Sequence, residues 1–191
     1  MHASVFHAQP PLASRLMNTL VLAGLCGVMG MALAWQLIYD ELPCPLCLLQ
    51  RVGFLLAGIG VILNLRFGPS PLHYGMIILS ALGGAAVSGR QVLLHIAPGD
   101  PGYGSLFLGL HFYTWALILF IALIAYAGVM LLLERPASGP LPALRPRALV
   151  AVLMWLFLVL AAANLLSTVL ECGLGPCADD PVRYELLSLT S

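Results

Sequence analysis

The stretch that decides the fold is Leu16–Tyr39, LMNTLVLAGLCGVMGMALAWQLIY, which runs without a charge between Arg15 and Asp40. A helix needs about 20 apolar residues to cross the hydrocarbon core of a bilayer. Four further apolar runs follow, the second with Arg51 one turn in and the third with Arg90 near its end. The second starts near Cys47 and ends before Arg66, and the third spans Pro71 to Ala97. The fourth spans Phe107 to Leu133, and the fifth is Ala148–Leu170. Lipid offers the backbone no hydrogen-bond partners, so each run is read as an α-helix. The chain therefore reads as an all-α polytopic membrane protein with five spans.

Composition agrees. Hydrophobic residues make up 61% of the 191 residues and charged residues 8%, against about 25% charged in a soluble chain. That excludes a soluble enzyme and a disordered tail. The basic residues are all Arg and are scattered, so there is no patch for a phosphate backbone and no nucleic-acid partner is expected. Ala32-Leu33-Ala34 has the form of a signal-peptidase site, but the apolar run before it is longer than the roughly 7–15 residues of a signal peptide.

The connections divide the chain. Residues 1–15 form an inner N-terminus and 16–133 carry four spans. A linker with four Pro and three Arg occupies 134–147, the fifth span 148–170, and a tail 171–191. With the N-terminus inside, Arg15, Arg66, Arg135, Arg145 and Arg147 fall on the inner face, as the positive-inside rule requires. Cys44, Cys47, Cys172 and Cys177 then fall on the outer face.

Cys44-Pro45-Leu46-Cys47 is the strongest chemical signal. Two sulfurs at this spacing can form a reversible two-electron couple. Cys47 is expected in the first turn of the second span, where a helix N-terminus favours a thiolate. Arg51 follows four residues later, on the same helix face. An arginine inside a span is costly and marks a functional candidate. Half of a structural zinc site is the other reading of this pair. Cys172 and Cys177 lie in Glu171-Cys172-Gly173-Leu174-Gly175-Pro176-Cys177, directly after the fifth span. They are either a second redox pair that relays electrons to the first or a static disulfide that pins the tail. Cys26, among Gly, Leu and Val in the first span, reads as a small buried hydrophobe. Arg90, His95 and His111 are expected near the depth of Arg51, where they could hold a carbonyl headgroup or sit as interfacial residues. Tyr39, Tyr103, Tyr113 and Trp115 read as an interfacial aromatic belt.

Cys44-Pro45-Leu46-Cys47-Leu48-Leu49-Gln50-Arg51 after a first span resembles the DsbB family of inner-membrane disulfide-bond formation proteins. Gly89-Arg90-Gln91 and Phe107-Leu108-Gly109-Leu110, followed by Trp115, are similar as well. The resemblance covers roughly 16–133 and implies a four-helix transmembrane bundle of DsbB type, here with a fifth C-terminal transmembrane helix. It implies a membrane thiol oxidoreductase that reoxidises a periplasmic DsbA-like, thioredoxin-fold partner and passes electrons to ubiquinone or menaquinone in the bacterial inner membrane, supporting disulfide formation. By the same resemblance Cys47 touches the quinone, Arg51 supports the reduced quinone or the thiolate, and Cys44 exchanges with the second pair. The family usually places a His near the quinone late in the third span, and His95 is the nearest candidate. The departure is the second pair: the family carries it between the third and fourth spans, whereas that loop has no Cys here and Cys172 and Cys177 follow the fifth. Two other classes fit the residues: a haem- or metal-binding membrane redox subunit using His95 and His111, and a non-enzymatic assembly subunit with structural disulfides.

Overall fold

The computed structural model describes residues 12–134, 147–173 and 175–188. Most of the 1–15 segment, nearly all of the 134–147 linker with Arg135 and Arg145, and the end of the tail lie outside the described residues. Five helices are long and apolar enough to cross a membrane: α1 (Leu12–Tyr39), α2 (Pro45–Phe67), α3 (Pro71–Leu94), α4 (Phe112–Leu133) and α5 (Ala148–Cys172). A short α6 (Glu185–Ser188) ends the described tail. The protein is an all-α polytopic membrane protein. At about 1.5 Å per residue, the 28 residues of α1 reach beyond a hydrocarbon core of about 30 Å.

Local chemistry sets the helix starts. Pro45 and Pro71 open α2 and α3, where a missing N–H costs nothing and the fixed φ suits the helix. Ser70 caps α3 by accepting the N–H of Leu72. Helix α1 starts at Leu12 rather than Leu16, α2 at Pro45 rather than near Cys47, and α3 stops at Leu94 rather than Ala97, and two further differences bear on the site. Residues 107–111 do not begin the fourth helix: Leu106–Phe107 (β1) pairs antiparallel with Leu110–His111 (β2). Leu108 and Gly109 turn at φ 50° and 84°, positive values that suit a two-residue hairpin loop. A hydropathy scan cannot tell this apolar hairpin from a helix start. At the other end, α5 continues through Glu171 and Cys172 before Gly173 stops it at φ 65°.

Helix α2 lies at the centre, packed by α1, α3, α4 and α5. Glycines permit the closest approaches. A Cβ on Gly84 would collide with the Phe120 ring, and one on Gly58 with the Phe157 ring. Small residues are how membrane helices gain packing when lipid is as apolar as the core. Phe54 of α2 stacks on Phe120 of α4 at 4.0 Å between centroids. Cys26 is buried and its thiol points to the carbonyl of Leu153 on α5 at 3.7 Å. At the end of the bundle away from the C-x-x-C pair, Asn64 accepts from Ser70 N–H and donates to Asn18, and Asn18 donates to Tyr74. That network ties α1, α2 and α3 together.

Candidate functional site

The N-terminus of α2 builds the sulfur pair. Cys44 is the N-cap residue, and its Sγ accepts the backbone N–H of Cys47 at 3.2 Å. Gln91, late in α3, donates its amide to Cys44 Sγ at 3.2 Å and to Cys47 Sγ at 3.5 Å. Gln50 donates to Gln91 Oε1 at 2.8 Å and so fixes which way that amide faces. Both glutamines are buried. Hydrogen bonds from the Cys47 thiol, the Cys47 N–H and the Gln91 amide outweigh burial and bring the Cys44 thiol down to about 7. The helix N-terminus therefore acts on Cys44, whereas the sequence pointed to Cys47. The capping position, rather than the first turn, receives the free N–H groups.

Arg51 is held by three acceptors on two neighbouring helices, α1 and α5. It donates to Gln36 Oε1 of α1 at 2.8 Å, to Asn164 Oδ1 of α5 at 3.1 Å and to the Ala32 carbonyl at 3.2 Å. Gln36 in turn donates to Ser167 of α5 and to Tyr184 of the tail. Among the described residues no carboxylate lies within ion-pair distance of Arg51.

These groups face a cavity of about 460 Å³. It lies between α1 and α4, with α2 as its back wall. Cys47, Gln50 and Arg51 line it with Gln36, and Trp35, Phe54 and Trp115 supply flat apolar walls. The segment joining α3 to the hairpin lines one side of its mouth. Glu41 accepts both the N–H and the hydroxyl of Ser105, Trp35 donates to Ser105, and Tyr103 donates to the Leu42 carbonyl. Trp115 donates to the Phe107 carbonyl. Tyr103, Tyr113 and Trp115 thus belong to the cavity wall.

The remaining candidates lie elsewhere. Arg90 is exposed on α3. His95 caps α3 and pairs with Asp100 at 3.0 Å. The Gly102 N–H and that imidazole hold the Asp100 carboxyl below its ordinary range. His95 and His111 both stack on Tyr113. None of Arg90, His95 and His111 lines the cavity, and the described residues include no cluster of His, Cys, Asp and Glu fit to hold a metal. Cys172 and Cys177 form a disulfide, at the same end of the bundle as Cys44. Sequence reasoning missed Gln36, Gln91, Asn164 and Ser167. Each is an amide or hydroxyl within an apolar helix, and that costliness was the available signal.

The family model described as "Disulfide bond formation protein DsbB" matches residues 14–105, a segment that contains the C-x-x-C pair, Arg51 and Gln91. Over that segment the chain is similar to the DsbB family. It is 40% identical over 84 residues to "Disulfide bond formation protein B" of Nitrosomonas eutropha, covering 42% of this chain and 52% of that one. It is 37% identical over 107 residues to the protein of that name from Chromobacterium violaceum, covering 52% and 64%. The matched segments thus span about half to two thirds of these DsbB relatives. No solved structure matches. Helix α5 and the Cys172–Cys177 pair lie outside the DsbB-matched residues.

Proposed function

We propose that this protein is a membrane thiol oxidoreductase that makes disulfides, drawing electrons from a thioredoxin-fold, DsbA-type partner and delivering them to a quinone, ubiquinone or menaquinone. The observation that carries the proposal is the cavity that brings Cys47 and Arg51 onto one wall. Its volume falls in the range of about 300–1,000 Å³ usual for small-molecule sites. Its aromatic walls suit a flat ring, and the N–H donors of Arg51 and Gln50 suit a carbonyl oxygen. A bound quinone would supply a two-electron, two-proton acceptor.

The chain's own residues do the rest. Gln91 and the Cys47 N–H hold negative charge on Cys44, and Cys47 lines the cavity. Arg51 stabilises charge that develops beside it, and it needs no reorganisation because three fixed acceptors already orient it. The loop pinned by Glu41 and Tyr103 borders the mouth. On this reading the sulfurs face the periplasm, with Arg15, Arg66 and Arg147 at the cytoplasmic end. The partner reduces Cys172–Cys177, and the resulting dithiol reduces Cys44–Cys47.

The test is quinone reduction by the purified full chain, supplied with a reduced thioredoxin-fold protein. Turnover that is lost in Cys44→Ser and Cys47→Ser is expected. Wild-type protein that leaves quinone oxidised would refute the function.

A further inference from the structure

Glu171 is the buried charge that the arrangement above does not use. It lies in the last turn of α5, next to Cys172, and is only 2% exposed. Neither carboxylate oxygen has a hydrogen-bond partner among the described residues. Burying a carboxyl without partners is costly unless a charge compensates it or a proton neutralises it. Asn164, Ser167 and Glu171 recur at helical spacing, so they share one face of α5. The first two reach Arg51 directly and through Gln36. The charges that act on Glu171 are those of Arg51 from α2 and Cys44 at its cap. Tyr103, from the loop beside the mouth, is also within its field. Tyr184 of the tail meets Gln36, and Gln36 of α1 is neutral.

Arg51 therefore has two available counter-anions, the Glu171 carboxylate and the Cys44 thiolate, and it is bonded to neither. Two anions beside one buried cation are disfavoured in a low-dielectric site. The thiol exchange creates this conflict. When the Cys172/Cys177 dithiol reduces the Cys44–Cys47 disulfide, a tail thiolate attacks Cys44 and Cys47 leaves. The second tail thiolate then closes the tail disulfide and Cys44 leaves. Two electrons pass from tail to site, and the tail sulfurs release two protons. One proton ends on Cys47. To the extent that Cys44 stays a thiolate, held by the Cys47 N–H and the Gln91 amide, the other proton goes elsewhere.

We propose that Glu171 takes this second proton, so that the anion beside Arg51 moves from the Glu171 carboxylate to the Cys44 thiolate as the pair is reduced. This rests on the function proposed above, in which the pair is reoxidised by a quinone. Two electrons then leave with two protons, one from Cys47 and one from Glu171, and the carboxylate is restored. The fifth helix thus supplies a proton-carrying group from outside the DsbB-matched segment.

Reduced-minus-oxidised infrared spectra of the full chain in lipid nanodiscs, poised electrochemically without added quinone, test the proposal. Reduction should produce a carboxylic-acid carbonyl band that shifts in heavy water and with carbon-13 glutamate. The band should vanish in Glu171→Gln and return in Glu171→Asp. Quinone-coupled turnover of Glu171→Gln should fall by about a hundredfold, the scale of a lost acid–base group. The proposal is overturned by a wild-type spectrum without the band, by a band that ignores glutamate labelling, or by one that persists in Glu171→Gln. The labelling result holds even where Glu171→Gln fails to fold. A wild type that shows the band yet leaves added quinone oxidised would sink the quinone reading and leave the proton role standing.

Discussion

Cys44 and Arg51 carry the residue-scale argument. The Cys44 thiol is brought from 9.0 down to about 7, chiefly by the Cys47 thiol and then by the Cys47 N–H and Gln91. A depressed thiol pKa favours the folded reduced state. The contribution is complete above the ordinary thiol value and is lost as pH falls through about 7. Thiolate ultraviolet absorbance of the reduced chain, with Cys26 replaced, should therefore show a midpoint near 7. Cys47→Ala should move that midpoint up further than Gln91→Ala does. Equal shifts would contradict this ranking of causes. Arg51→Ala removes a charge-assisted hydrogen bond worth about 1.5–3 kcal/mol, or about ten- to a hundredfold. Stopped-flow traces should show the loss in quinone reduction and leave thiol exchange with the partner nearly unchanged. Arg51→Lys should rescue only partly, because an ammonium lacks the planar fork that reaches Gln36, Asn164 and Ala32 at once.

At the scale of elements, the question is what seats α5 against the bundle. Phe157 fills the space over Gly58, Cys26 meets the Leu153 carbonyl, and Asn164 and Ser167 carry the polar contacts to Arg51 and Gln36. Gly58→Ala sets a methyl against the Phe157 ring, and overpacking of this kind costs about 1–3 kcal/mol. Denaturation in mixed micelles should show that loss, and Phe157→Leu in the same chain should recover much of it. If Gly58→Ala is neutral, the close approach of α5 to α2 does not stabilise the bundle. Because α5 orients Arg51 through Asn164, the single variant should also slow quinone reduction.

For the molecule as a whole, the two cysteine pairs share one end of the bundle, but the second belongs to a tail outside residues 14–105, the segment that the family model matches. A Cys172→Ser/Cys177→Ser chain should still transfer electrons from Cys44/Cys47 to quinone while accepting them poorly from the protein partner. A purely structural disulfide predicts a different result: a stability loss of about 2–4 kcal/mol, with partner oxidation per folded molecule unchanged. Measuring partner oxidation and thermal stability on one preparation separates the two. After mild reduction in intact spheroplasts, an impermeant thiol reagent should label Cys172 and Cys177. Labelling of the two only after lysis would place them on the cytoplasmic side.

The five spans were legible in the sequence because a bilayer imposes a length and an apolar composition that local counting detects, as in Leu16–Tyr39. The C-x-x-C pair and its Arg four residues on were legible because both spacings lie within one helical turn. The hairpin at Leu106–His111 was not, because its strands are as apolar as a helix start. Nor was the partner of each polar residue within a span. Gln91 is 44 residues from Cys47, and Asn164 is 113 residues from Arg51. Such distances close only when the helices pack. The same packing left Arg90 outside, sent His95 to Asp100 and buried Glu171 without a partner. Composition and spacing determine which segments cross the membrane and where the sulfurs lie along the chain. Which side chains share the low-dielectric space around those sulfurs is decided only when α1, α2, α3 and α5 come together.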